Sequence, residues 1–385
     1  MKILFIHTRY QLKGGEDVVF DLEKNALSDI HQVETLYFRN EKGVFGALEF
    51  LTSIWNFKKN SIVKKKIESF SPDIIHLHNW HFATGPLIIR GIKKKKIPLV
   101  ITLHNFRLIC PSATLFHNKE LFTKSLNQNF PWRAVQNKVY RNSYLLTFWL
   151  ASIVWFHKKI GTWKMVDAFI CPSPFMVELF NSSILNIDKK RFTVKPNFSE
   201  EFKKAEPLKP KKHFLYVGRL SEEKGINVLL QAFKNTKDIL KIVGTGPLKK
   251  LVEESCLEYK NIIYLGFLSK EEIAIQMQQA NALIFPSIWH EPFGLAIIEA
   301  FSNNCAIIAS NIGAPKALVK NGKNGFHFDS NNPNSLLNAL QSWNCLSDSK
   351  KEEFRLNAYN SYLENYSIES HKIFINHFYK SILKH

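Results

Sequence analysis

The chain has 385 residues, 45% hydrophobic and 22% charged, which fits a soluble globular protein and is too long for one ordinary core, so two domains are expected. Its net charge of +19 lies mainly in the first 200 residues, where 29 Lys and Arg face 15 Asp and Glu; the remainder has 23 against 18. The five cysteines, Cys110, Cys171, Cys256, Cys305 and Cys345, are scattered with no Cys-x-x-Cys pair, which argues against a disulfide framework and reads as reduced core residues of a cytosolic protein.

The opening run Met1 to His7 is too short and too strand-like for a signal peptide. Strand-like runs at Lys2–His7, Val33–Phe38, Asp73–His78 and Pro98–His104 alternate with helix-length stretches, which predicts parallel strands joined by right-handed crossovers. After the first strand, a loop ends on Gly14-Gly15 before a helix opening near Glu16. At the carboxyl edge of a doubly wound sheet, paired glycines let backbone approach a ligand, although a plain tight turn uses the same residues. The lysine runs 64–66 and 93–96 read as solvated helix ends or as contacts to an anionic surface. A membrane leaflet suits them better than nucleic acid, since no nucleic-acid module accompanies the charge. Residues 112–166 break the alternation. Within them Tyr144 to Phe156 is almost unbroken apolar sequence between Arg141 and Lys158-Lys159, too short to span a bilayer. It reads as an interfacial helix, as a helix holding a lipid-linked acceptor, or as a buried core helix. Strands at Asp167–Cys171 and Phe192–Pro196 follow, and Asn197 to Lys212 reads as a linker.

The pattern then restarts. His213 to Val217 is a buried strand, and Gly218-Arg219 with Lys224, where a helix is expected to begin, places two cations at a sheet's carboxyl edge. Lys241 to Leu248 repeats strand, Gly244-x-Gly246 and helix, without the third glycine of a dinucleotide fingerprint. Asn261–Leu265, then Gly266 to Ser269 and a helix from Lys270, supplies the next edge loop. Asn281–Phe285 reads as a strand and Phe293–Phe301 as a helix with Pro292 at its first position. The amides of Phe293, Gly294 and Leu295 would then be unpaired donors at a positive dipole end, suited to a phosphate. Glu291 at the mouth of that helix and Glu299 two turns in suit the hydroxyls of a ligand that also carries a diphosphate, as a nucleotide sugar does. A solvated helix face with a capping Glu gives the same spacing. Cys305–Ala309 is a further strand, and from Pro333 onward the chain reads helical, ending in a helix from Ser367 to His385.

The phrase Pro286-Ser287-Ile288-Trp289-His290-Glu291-Pro292-Phe293-Gly294 with its apolar helix and Glu299 resembles the signature of the family 4 glycosyltransferases, retaining enzymes of the GT-B fold. Gly218-Arg219 to Lys224, Gly244-Thr245-Gly246-Pro247, Gly14-Gly15 and Leu103-His104-Asn105 agree with it. The resemblance is close over residues 213–326 and loose over 30–95. It implies an α/β chain with two Rossmann-like domains facing each other across a cleft: residues 1–200 on the acceptor side, 201–365 binding the nucleotide sugar, and a helix over 366–385 packing back on the first domain. It also implies site roles. Arg219 and Lys224 stabilise the leaving diphosphate, the Phe293–Leu295 amides grip it, Glu299 binds ribose, and Glu291 holds the sugar. His104 orients the sugar, Gly14-Gly15 lies under the diphosphate, and Gly244, Gly246 and the Leu268 backbone line the nucleoside.

The sequence departs from the family at Asn105, where an acid often follows the histidine, at Lys316, where Glu is common and to which no role is assigned, and in the absence of a cysteine pair after residue 112. With no Asp-x-Asp and no His/Cys ligand spacing, no metal or other cofactor is expected. The implied activity is metal-independent transfer of a sugar to a glycan or polyprenyl-linked acceptor in cell-surface polysaccharide synthesis. The implied location is cytoplasmic and peripheral on the inner face of the plasma membrane. A GT-B sugar-nucleotide epimerase or hydrolase, or a non-catalytic binder, stays open as the alternative.

Overall fold

The computed structural model describes residues 1–11, 14–201 and 212–384. The chain forms two units: Met1–Leu115 with Phe122–Pro196 and Lys372–His385, and Phe116–Leu121 with Asn197–His371. Relative to the expected boundaries, the first junction falls four residues earlier and a short segment at Phe116–Leu121 groups with the second unit. Most of the expected linker, 202–211, and Leu12 of the glycine loop lie outside the described residues, as does Lys13.

The first unit holds a parallel sheet of six strands: β1 Lys2–Arg9, β2 Gln32–Arg39, β3 Ile74–Asn79, β4 Leu99–Thr102, β5 Ala168–Cys171 and β6 Phe192–Val194, in the order β2-β1-β3-β4-β5-β6. Residues along a strand alternate between faces. Leu4, Ile6, Ile75, Leu77, Leu99 and Ile101 enter one core, whereas Ile3, Phe5, Ile74 and Val100 enter another. The second core is closed by Phe20 and Leu27 of helix α1 (Gly15–Ser28) and by Ile375 and Tyr379 of the last helix. Both faces being covered explains the continuous apolar run Ile3-Leu4-Phe5-Ile6 of β1, which feeds both cores.

The start of helix α1 is capped from its third residue: the Asp17 carboxylate accepts from the Gly14 amide at 2.8 Å, and the Asp17 amide bonds back to the Gly14 carbonyl. Helix α2 (Gly43–Thr52) follows β2 and has no fully buried residue. Helix α3 (Tyr144–Lys159) resolves the ambiguous apolar run into two faces. Thr147, Leu150, Ala151, Ile153 and His157 are buried, whereas Tyr144, Leu145 and Phe148 are exposed. Trp149 donates to the Phe50 carbonyl at 2.8 Å, and His157 donates to the Ile54 carbonyl at 2.7 Å, so α3 is tied to α2 and the turn after it. No helix among the described residues is long and apolar enough to cross a membrane. Cys110, Cys171 and Cys305 are buried thiols, but Cys345 is exposed and so is not the core residue expected.

The second unit repeats the plan with β7 His213–Val217, β8 Ile239–Val243, β9 Ile262–Gly266, β10 Leu283–Phe285, β11 Ile307–Ser310 and β12 Gly325–Phe328, in the order β9-β8-β7-β10-β11-β12. This is a doubly wound order, in which the strand sequence reverses between β7 and β10. Two starts differ from expectation. Lys224 ends a short 3-10 turn (Glu222–Lys224), and the α-helix begins only at Ile226, after Gly225 at φ +73°. Helix α4 spans Leu295–Ser302, not Phe293–Phe301. Pro292 is therefore not its first residue. The chain first sends Phe293 into the core, then turns at Gly294 with φ +145°, a conformation open to glycine, before the helix starts.

Candidate active site

In the second unit the loops that leave the carboxyl ends of β7, β8, β9, β10 and β11 are stitched together. Leu220 donates to the Thr245 carbonyl at 3.0 Å, Gly244 to the Gly266 carbonyl at 2.8 Å, Ile288 to the Glu223 carbonyl at 3.0 Å, and Ala314 to the Glu291 carbonyl at 3.1 Å. Two of these approaches leave no room for a side chain. A Cβ on Gly244 would sit 1.9 Å from the Gly218 oxygen, and one on Gly225 would sit 1.8 Å from the Pro286 oxygen. The loops after β7 and β10 flank the strand-order reversal, the place where open α/β sheets bind ligands.

At that reversal Lys224 Nζ donates to Glu291 Oε1 at 2.5 Å. Ser287 Oγ donates to the same oxygen at 2.7 Å, and its carbonyl accepts from Ser310 Oγ at 2.6 Å, which holds the loop against β11. Glu291 is buried, Lys224 is partly exposed, and its ammonium lies 5.3 Å from the centre of the Trp289 ring. Sequence reasoning gave the acid to the sugar and the cation to the diphosphate. The structure pairs them, so one of the three Lys224 donors is committed to Glu291. Arg219 follows β7 with an exposed side chain, and Tyr216 donates to its carbonyl at 2.8 Å.

The first helical hydrogen bond of α4 runs from Ile297 to the Gly294 carbonyl, so the amides of Leu295 and Ala296 head the helix. Of the three amides expected there, only that of Leu295 lies in the first turn; Phe293 is a buried plug and Gly294 the cap. Glu299 is on α4, partly buried. Burial raises its pKa while Lys270 opposes the rise. Leu268 lies in the loop between β9 and the helix Lys270–Gln279, which Ser269 and Glu272 cap reciprocally. Gly246 packs under Leu220, and Lys316 lies in the short helix Pro315–Leu318.

In the first unit, Gly14 and Gly15 start α1, and His104 follows β4. Its neighbour is not the absent acid at 105 but another imidazole: His78 Nδ1 lies 3.1 Å from His104 Nε2. Burial, with the charges of His7 and Lys195, pushes the His104 pKa down to about 3, so the ring is neutral. Beside Gly15, Glu16 has a pKa raised to about 8 by burial and by Asp17, against the pull of Arg107 and a hydrogen bond with Tyr10. Sequence spacing also missed a buried group in which ligand atoms of Glu23, His76 and His78 lie within 4.8 Å of one another. These residues are 53 or more positions apart, apart from the His76-x-His78 pair.

Comparison with known proteins fixes the family. The Glycosyltransferase Family 4 model matches residues 13–199 and the Glycosyl transferases group 1 model matches residues 197–361. The chain belongs to the family 4 glycosyltransferases. It is 29% identical over 134 residues to an uncharacterized glycosyltransferase of Methanocaldococcus jannaschii, a match over 32% of this chain and 34% of the relative, so it spans about a third of that protein's length. It is 25% identical to the alpha-monoglucosyldiacylglycerol synthase of Acholeplasma laidlawii, over 69% of this chain and 66% of the synthase. It is 29% identical to the O-antigen chain mannosyltransferase C of Escherichia coli, over 34% and 37%. Among solved structures, Anabaena HepE in complex with UDP superposes with a TM-score of 0.68 at 17% identity, covering 99% of this chain and all of HepE. That likeness carries the GT-B fold of this family 4 glycosyltransferase: two Rossmann-like domains.

Proposed function

We propose that the chain moves a sugar from a nucleotide-diphosphate donor to a glycan or lipid-linked acceptor in cell-surface polysaccharide synthesis, with retention of configuration and without a metal ion. The observation that carries this reading is the Lys224–Glu291 pair set at the strand-order reversal of the second unit, beside Arg219 and the head of α4. Lys224 and Arg219 supply fixed positive charge where a diphosphate leaves, and the Leu295 amide adds a helix-end donor. Glu299 takes the ribose hydroxyls, Glu291 the sugar hydroxyls, and His104 orients the sugar. The leaving phosphate serves as base on the face it departs from. UDP in HepE and the glycolipid and O-antigen names of the relatives support a nucleotide sugar and a membrane-borne acceptor.

The same reading places the enzyme on the inner leaflet of the plasma membrane. Val44, Phe45, Leu48 and Leu51 share one face of α2, and Val44 and Phe45 are 75% and 73% exposed. Exposed Lys42 and Lys58 bracket that face, and the lysine run 64–66 follows. An apolar helix face with cationic flanks suits an anionic bilayer surface. A thermal-shift screen with UDP-, GDP- and ADP-sugars identifies the donor, since binding to the folded state raises the melting temperature. Incubation of that donor with and without a polyprenyl-linked acceptor tests transfer: free or isomerised sugar in the absence of acceptor identifies a hydrolase or epimerase instead. Cosedimentation with phosphatidylglycerol vesicles, lost in a Phe45→Asp/Leu48→Asp variant, tests the surface.

A further inference from the structure

Beneath His104 lies a polar layer that the donor chemistry does not use. Strand alternation puts His7 of β1, His76 and His78 of β3 and Thr102 of β4 on one face with the end of β4 that carries His104. Glu23 of α1 and Lys195, just after β6, meet there as a buried pair, Lys195 Nζ donating to Glu23 Oε2 at 3.1 Å. The carboxylate faces two imidazoles: His76 Nδ1 at 3.5 Å and His78 Nε2 at 3.9 Å.

The two rings differ in what they can do. His76 is fully committed, with Nε2 2.7 Å from Thr102 Oγ1 and Nδ1 2.6 Å from the Tyr379 hydroxyl. His78 makes one hydrogen bond, between its Nδ1 and His104 Nε2, whose direction depends on the tautomers, and its buried Nε2 has no hydrogen-bond partner among the described residues. Burial holds both rings far below the usual histidine range, so each is neutral, with one N–H and one lone pair. A metal ion fits this group poorly, because both His76 nitrogens are spent and the Lys195 ammonium already neutralises the carboxylate.

We infer that Glu23, acting through His78, fixes the tautomer and ring orientation of His104. The carboxylate favours the proton on His78 Nε2, the only side of that ring that faces it. His78 Nδ1 is then an acceptor, so His104 Nε2 carries the proton that bonds to it. His104 Nδ1 is left as a lone pair, able to accept from a ligand hydroxyl. A carboxylate behind a histidine is an established way to select one tautomer, and its loss costs rate because the wrong nitrogen then bears the proton. Glu23 and His78 are positioning residues in this scheme. That His104 meets the substrate rests on the reading of the preceding subsection; the tautomer does not.

Long-range proton–nitrogen correlation spectra of the full chain, labelled with nitrogen-15 histidine and assigned with a His104→Gln variant, test the inference without substrate. Both His78 and His104 are expected to be protonated at Nε2. A His104 ring protonated at Nδ1 overturns the proposal. Glu23→Gln, whose amide can donate to His78 Nε2, is expected to shift both rings toward the Nδ1–H form. Should that variant not fold, Glu23→Gln/Lys195→Met removes both buried charges and is read the same way, and an unchanged His104 in the folded variant also overturns the proposal. His78→Asn, which keeps an acceptor near the Nδ1 position, is expected to preserve the His104 pattern that His78→Phe loses. In steady-state assays with UDP-glucose and GDP-mannose, His78→Phe is expected to lower kcat by roughly 10–100-fold while the donor KM changes little, with partial recovery in His78→Asn. Absence of transfer with the Nε2–H pattern intact removes the glycosyltransferase reading and leaves the tautomer assignment standing.

Discussion

Replacing Lys224 by Met separates two jobs that the structure gives one side chain. Its ammonium lies 2.5 Å from Glu291 Oε1, and the Glu291 side chain is only 6% exposed. Without Lys224 that carboxylate keeps the Ser287 hydroxyl as its donor but loses its countercharge. Removing one partner of a buried pair costs about 3–5 kcal/mol, and because the Lys224 side chain is 25% exposed, water recovers part of this, leaving about 2–3 kcal/mol. For a domain of this size that is a fall in melting temperature of roughly 4–12 °C. Glu291→Gln in the Lys224→Met background removes the stranded charge, so the double variant is expected to regain most of the loss, with a coupling near 2 kcal/mol in a double-mutant cycle. Turnover is expected to behave differently. If Lys224 also neutralises the departing diphosphate, kcat falls by about 10²–10³ in Lys224→Met and stays low in the double variant. Urea titrations and steady-state kinetics on the four proteins read both quantities. Additive stabilities refute the pairing argument, and a turnover that recovers together with stability refutes the electrostatic role.

Glu299→Ala is expected to weaken UDP binding by about tenfold in titration calorimetry, the cost of one charged hydrogen-bonding group lost, with little change in melting temperature in the absence of nucleotide. Gly225→Ala is expected to lower stability by about 2–3 kcal/mol in urea titrations, since it combines left-handed backbone with a Cβ driven into the Pro286 carbonyl. His157 bonds to the Ile54 carbonyl and to Thr162, and burial lowers its pKa to about 4 from 6.5. The folded pKa lies below the unfolded one, so this contribution is complete above pH 6.5 and is lost as pH falls toward 4. It amounts to about 3 kcal/mol by linkage, and a His157→Gln variant is expected to show a flatter stability profile across that window.

The parts of the fold that were legible are those written in consecutive residues. Apolar runs gave the strands of the two parallel sheets to within a few positions, except β12 (Gly325–Phe328), which no apolar run announced, and the carboxyl-edge placement of Arg219, Lys224 and Glu291 followed from where those runs stop. The start of α4 was misplaced because Pro292 is compatible with a first helical turn, and nothing local says that Phe293 is needed in the core first. What decides it is the burial of that ring in the core cluster that also holds Phe285 and Ile297, where it lies 6.2 Å from the Tyr366 ring, a tertiary fact. The histidine layer is an intermediate case. The alternation Ile75-His76-Leu77-His78 and Ile101-Thr102-Leu103-His104 already says that four polar side chains share the face opposite to four apolar ones. A strand face buried under helices cannot keep such groups without partners, so their pattern alone demands a buried charge or hydroxyl from elsewhere in the chain. The partners, Glu23, Lys195 and Tyr379, stand up to 303 positions away and leave no spacing to read. The demand was in the sequence, whereas its answer needed the fold, and a buried polar face supplied from such distances is where this chain departs most from what packing alone requires.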